Sequence, residues 1–174
     1  MPDPDPSPLA LALGFAGAFM NVVWPLFPGR RGMLLAQVGV SVFFGAHYAL
    51  TGAVTGAIMN TLAMVQALLA IPLVERPGFR IAYLATLPVI AACLWASWSG
   101  PPSAFAAAGF ALVSLGRYQL STIRFRVLLL AAIPPWIAHN VAVGSIPGLV
   151  ADACALVAGS LALGYALRQR GPRI

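Results

Sequence analysis

The sequence predicts an all-α integral membrane protein: seven transmembrane helices in a 3+1+3 arrangement with parallel repeats. Three observations predict it. The 174-residue chain is 60% hydrophobic and only 8% charged, with a mean hydropathy of +0.89. A soluble domain carries about 25% charged residues, so this chain cannot cover a water-facing surface. Seven apolar runs follow one another, each near the ~17–25 residues that cross a bilayer core. Two stretches also match at an offset of 92 residues, HYALTGAVTGAIMN (His47 to Asn60) and HNVAVGSIPGLVAD (His139 to Asp152). The match sets His47 on His139, Gly52 on Gly144, Gly56 on Gly148 and Asn60 on Asp152, and the chain has no other histidine.

Residues 1–8, MPDPDPSP, are too proline-rich for a helix and read as a disordered tail. The first run is Leu9 to Phe27. AGA at 16–18 mimics a cleavage site, but acidic residues precede the run and Arg30 and Arg31 follow it, the reverse of a signal peptide. The second run is Met33 to Leu50, and Thr51-Gly52 is a hairpin tip leading into the third, Ala53 to Val74. After the loop ERPGFR comes the fourth, Phe79 to Trp98, closed by SGPPS at 99–103. The fifth and shortest is Ala104 to about Gln119, with Arg117, Arg124 and Arg126 around its end, the sixth is Val127 to Val143 and the seventh Ile146 to Leu167. Water is absent from the bilayer core, so each run must pair its backbone groups internally, as a helix. Pro88 and the Pro134-Pro135 pair should kink the fourth and sixth helices.

Charge sets the topology. All ten basic residues are Arg, and they fall in the first, third and fifth connections and the C-terminal tail. The other connections and the N-terminal tail hold none, so the positive-inside rule places the N-terminus outside and the C-terminus in the cytoplasm. Two triplets can share one orientation only if a spare helix separates them. That divides the chain into a first repeat at 9–74, a linker helix within 75–103, a second repeat at 104–167 and a cytoplasmic tail at 168–174. The net charge of +6 reflects topology, not nucleic-acid binding. Arg30-Arg31 and Arg124/Arg126 read as contacts to lipid headgroups or to an anionic solute. Cys93 and Cys154 read as packing residues, Trp24 and Trp98 as an aromatic belt.

The 3+1+3 plan with an outside N-terminus looks like the SWEET and PQ-loop (MtN3-like) transporter superfamily. At closer range, the segment from Arg31 through QVGVSVFFGAHYALTGAVTGAIMN resembles small bacterial inner membrane proteins of the YgjV type. The sugar-carrying members of the superfamily imply a polar residue, usually Asn, on the third and seventh helices, facing a central substrate cavity. Asn60 and Asp152 stand at the matching positions. The chain departs from the pattern in having no Pro-Gln pair on helices one or five, only part of the four hinge prolines, and an acid at 152.

The polar residues inside the runs admit two readings. Asp152 is the one acid well within a run, where a charge costs ~2.5–3.5 kcal/mol and so faces a cavity or a partner. With His139 across the turn it is either a titratable pair beside a substrate or a tie between helices. Asn60 either lines the cavity or makes an interhelical bond, and His47 either supports the site or reaches interfacial water. Gln37 and Gln66 also lie within runs, Gln37 near the cytoplasmic end and Gln66 nearer the middle, so Gln66 is the better cavity candidate; Trp136 and Trp95 either line the cavity or pack. Gly52, Gly56, Gly144 and Gly148 read as turn and packing residues. No metal motif, cofactor motif or nucleophile–base constellation is present, so the chain does not read as an enzyme. The expectation is a small-solute transporter or facilitator of the bacterial inner membrane, acting on a polar solute, with proton coupling through Asp152 as an extension. One duplicated chain could supply a pathway, so no oligomer is required. The alternative is a non-transporting scaffold or accessory subunit.

Overall fold

A computed structural model describes residues 6–76 and 78–169. The fold is all-helical, with no strand among the described residues. The helices are α1 (Pro8–Val23), α2 (Arg30–Leu50), α3 (Val54–Ala70), α4 (Phe79–Ala96), α5 (Pro101–Tyr118), α6 (Thr122–Ala131), α7 (Ile133–Val143) and α8 (Ile146–Arg168). Short 3₁₀ turns, Trp24–Leu26 and Ile71–Leu73, extend α1 and α3. With α6 and α7 taken as one span, six helices are long and apolar enough to cross a membrane. The one outside that set is α5, which carries Ser103, Ser114 and Arg117 on its buried face. Most of the expected tail at 1–8, and the end of the tail at 168–174, lie outside the described residues.

Several helix ends differ from those read in the sequence, each for a local reason. Proline suits a first helical turn, where an N–H would lack a partner anyway. Pro8 therefore opens α1, capped by the Ser7 hydroxyl on the Ala10 N–H at 3.2 Å, and Pro101 and Pro102 open α5 instead of closing a loop. Helix α2 starts at Arg30, so the arginine pair lies in its first turn. The sixth run starts at Thr122, capped by Ser121, and breaks at Ala132. Pro134 and Pro135 cause the break, since each lacks an N–H and crowds the carbonyl four residues back. In contrast α4 continues through Pro88.

The helices form a closed ring. Helix α2 packs on α1 and α3, α5 packs on α6 and α7, and α8 packs on α6 and α7. The ring closes through α1 against α8 and α3 against α5. Helix α4 lies outside it, against α3 and α5, with Tyr83 its one buried residue. The outer surface is apolar: Phe19, Ile81, Val157 and Leu161 are each more than 60% exposed, as a lipid-facing surface requires.

Three assignments change here. Trp24 is no belt residue; it is 3% exposed and meets Phe125 edge-on at 6.1 Å in the core. Trp95 is 85% exposed and faces away from any cavity, and Cys154 also points outward.

Candidate functional site

A cavity of about 100 Å³ lies inside the ring. A liquid water takes up ~30 Å³, so the space suits a few waters or one small solute. Asn60, Asp152 and Trp136 line it. So do Asn21, Gln37, Ser41, Tyr48, Arg117 and Asn140, none of which was singled out in the sequence as a site residue. His47, His139 and Gln66 do not line it.

The lining repeats with the same offset as the two matching stretches. Asn21 and Val113, Gln37 and Leu129, Val40 and Ala132, Ser41 and Ile133 all line the cavity as pairs 92 apart. So do Phe44 and Trp136, Tyr48 and Asn140, Asn60 and Asp152, Ala63 and Ala155. The first half supplies most of the polar members, while Val113, Leu129 and Ile133 are their apolar counterparts.

At one end of the cavity a hydrogen-bonded chain crosses three helices. The Tyr48 hydroxyl donates to Asn140 Oδ1 at 2.5 Å, and Asn140 Nδ2 donates to Asp152 Oδ2 at 2.8 Å. The partner of Asp152 is therefore Asn140 and not His139, because one helical residue turns a side chain by ~100° and only one of the two can face α8. Asn60 donates to the Gly56 carbonyl of its own helix at 3.0 Å, so it makes no interhelical tie through that group. Gly148 makes room for the chain: a methyl group there would run into the Asn140 amide.

Both histidines serve the frame around this chain, with matching geometry. His47 Nδ1 lies 2.8 Å from the Ala10 carbonyl, and His139 Nδ1 lies 2.9 Å from the Pro102 carbonyl. A carbonyl only accepts, so Nδ1 carries a proton in each ring, and in the neutral ring Nε2 is the acceptor. His47 Nε2 takes the Ser145 hydroxyl at 2.9 Å, and that same oxygen caps α8 on the Gly148 N–H at 3.2 Å. The residue matching Ser145 in the first half is Ala53, which has no hydroxyl. His139 Nε2 is accordingly buried without a partner. Gly56 lets that ring approach, since a methyl there would sit 2.9 Å from Nε2. Gly52 and Gly144 hold the two turns at φ 76° and 69°, a region that suits glycine.

Gln66 is buried outside the cavity as a three-way tie. It donates to Thr86 at 2.8 Å and accepts from Ser114 at 2.7 Å and from Tyr83 at 3.3 Å, joining α3 to α4 and α5.

Arginines occupy the other end, and three of them are not headgroup contacts. Arg30 donates to the carbonyls of Ala70, Arg117 and Gln119. Arg126 donates to those of Pro25 and Phe27. Both satisfy carbonyls at helix C-termini, where the helix dipole also favours a cation. Arg117 is 3% exposed and donates from Nε to Gln37 Oε1 and from Nη1 to the Ala63 carbonyl, each at 2.8 Å. Arg31 and Arg124 remain exposed. Among the described residues no group of three His, Cys, Asp or Glu side chains comes together to hold a metal ion.

A family model described as Imp-YgjV, bacterial inner membrane protein, matches residues 8–168, from the first residue of α1 to the last of α8. No curated protein and no solved structure matches the chain.

Proposed function

The chain belongs to the Imp-YgjV family of bacterial inner membrane proteins, and from that premise we propose that it is a small-solute transporter or facilitator. It is a multi-pass protein of the inner membrane. The observation that carries the proposal is the central cavity, whose lining falls in pairs 92 residues apart. In this reading the chain is a 3+1+3 parallel repeat with its N-terminus outside, α4 is the spare helix, and α5 crosses as the fifth span, which brings the count to seven. The plan is that of the SWEET-like carriers. The solute sits between the two three-helix halves, against Asn60, Asp152, Tyr48 and Asn140, and access alternates as one half rocks on the other. Bonds between the halves at both ends support an occluded state: Tyr48–Asn140 and His47–Ser145 at one, Arg117–Gln37 and Arg126–Pro25 at the other. The cycle needs no chemical step, cofactor or nucleic acid, and a single chain suffices.

A specific observation also favours the scaffold reading. The Tyr48–Asn140–Asp152 chain would serve equally well as a static tie, and His47, His139 and Gln66 are all bonded away from the cavity. Thermal unfolding of the purified protein against a panel of small metabolites separates the two. Under the transport reading a solute that binds the native state raises the midpoint, and Asn60→Ala and Asp152→Asn each abolish that rise. If no solute shifts the wild type while both variants melt much lower, the polar residues only hold helices together.

A further inference from the structure

We infer that the solute carries one carboxylate, and that this group is bound by Arg117. The inference rests on the cavity being a solute site and names the solute's chemical class.

A guanidinium stays charged in any protein environment and offers five N–H donors. Arg117 lines the cavity at 3% exposure, and its hydrogen bonds go from Nε and Nη1 to two neutral oxygens, Gln37 Oε1 and the Ala63 carbonyl. Among the described residues Nη2 has no protein acceptor, and no carboxylate answers the charge. A buried cation left in that state is costly unless an anion completes it. The two bonds to Gln37 and Ala63 fix the plane of the guanidinium, and Nη2 is left to donate to an oxyanion, a charge-assisted hydrogen bond.

The other end of the cavity limits the rest of the solute. Asp152 sits there, two turns into α8, with Asn140 as its bonded partner. Along the helix axes, at ~1.5 Å per residue, Asp152 lies close to the turn that starts α8, and Arg117 lies in the last turn of α5. The cavity therefore carries a cation near one end and an acidic side chain near the other. A second carboxylate at that end would face Asp152 and Asn140, and among the described residues the lining holds no second cation to receive it. The fit is to a small monocarboxylate whose far end is neutral or cationic, within a volume of about 100 Å³.

The test is thermal unfolding of the detergent-purified protein at constant ionic strength with sodium acetate, propionate, succinate, phosphate, chloride or glycerol. Acetate and propionate should raise the midpoint by roughly 5–10 °C at a hundredfold excess over Kd. Succinate and glycerol should not. Arg117→Gln should lose the acetate shift and Arg117→Lys should keep part of it. Equal shifts with glycerol, or with phosphate or chloride alone, would overturn the inference, as would retention of the acetate shift in Arg117→Gln. Should that variant fail to fold, Arg117→Lys decides the matter: an acetate shift as large as that of the wild type would overturn the assignment to Arg117. Transport is read separately, by two-sided thiol labelling of Ser41→Cys. Monocarboxylate binding without two-sided labelling keeps the Arg117 site and removes the transport reading; two-sided labelling without such binding does the reverse.

Discussion

Ala53→Ser should stabilise this protein, and the reason lies in the paired geometry of the two turns. Ala53 and Ser145 occupy equivalent places. The Ala53 N–H reaches the Tyr48 carbonyl and the Ser145 N–H reaches the Asn140 carbonyl, each at 2.9 Å. Their φ angles are −79° and −80°. Ser145 caps α8 and donates to His47, whereas α3 has no side-chain cap and His139 Nε2 is a buried acceptor without a donor. A hydroxyl at 53 would do both tasks. A serine cap in place of alanine contributes about 1 kcal/mol. Satisfying the buried ring nitrogen contributes about 1 kcal/mol more. For a chain of this size the sum of about 2 kcal/mol corresponds to roughly 4–8 °C in the unfolding midpoint. The assay is equilibrium unfolding in detergent, as a cycle with His139→Phe. In the His139→Phe background the gain should shrink by about half, to the cap alone. A neutral or destabilising Ala53→Ser, or a gain unaffected by His139→Phe, would refute the reasoning.

Other substitutions test neighbouring parts of the account. Gly148→Ala drives a methyl group into the Asn140 amide and should cost about 1–3 kcal/mol in unfolding experiments, while Gly164→Ala, with open space around it, should be neutral or stabilising. Gln66→Leu removes the tie among α3, α4 and α5. At the ~0.6 kcal/mol average of interhelical bonds in membranes its three bonds amount to about 2 kcal/mol, measurable in the same assay. Arg126→Met strands the Pro25 and Phe27 carbonyls and should cost about 2 kcal/mol, with Arg126→Lys retaining part of the stability.

The helices were legible because apolar runs and turn residues mark them without reference to packing. Their ends were less so: Pro101 and Pro102 read as breakers, yet the first turn of a helix accepts them. The matching stretches at 47–60 and 139–152 contain Tyr48, Asn60, Asn140, Gly148 and Asp152 of the cavity lining, but depth along a helix does not say which face a side chain takes. Asn140 holds Asp152, and His139 faces Tyr48 and Trp136 instead. A helical-face count would have found more of the lining. Gln37, Ser41, Phe44 and Tyr48 are spaced four, three and four apart on α2, so they share one stripe, and all four line the cavity. Arg117 was hidden for another reason. Taken as one of ten arginines marking a membrane face, it counted as a loop residue, and only the packing of α5 on α3 shows its fork turned inward.

The central claim is that the cavity opens to each side of the membrane in turn. Thiol labelling of Ser41→Cys tests it most directly, since Ser41 lines the cavity at 3% exposure and cysteine is close to it in size. The protein would carry Cys93→Ser and Cys154→Ala and be probed with a membrane-impermeant thiol reagent in right-side-out and inverted vesicles. The account predicts labelling from both sides, slowed by a bound solute. Labelling from neither side would contradict it and leave a sealed bundle whose polar residues only join helices.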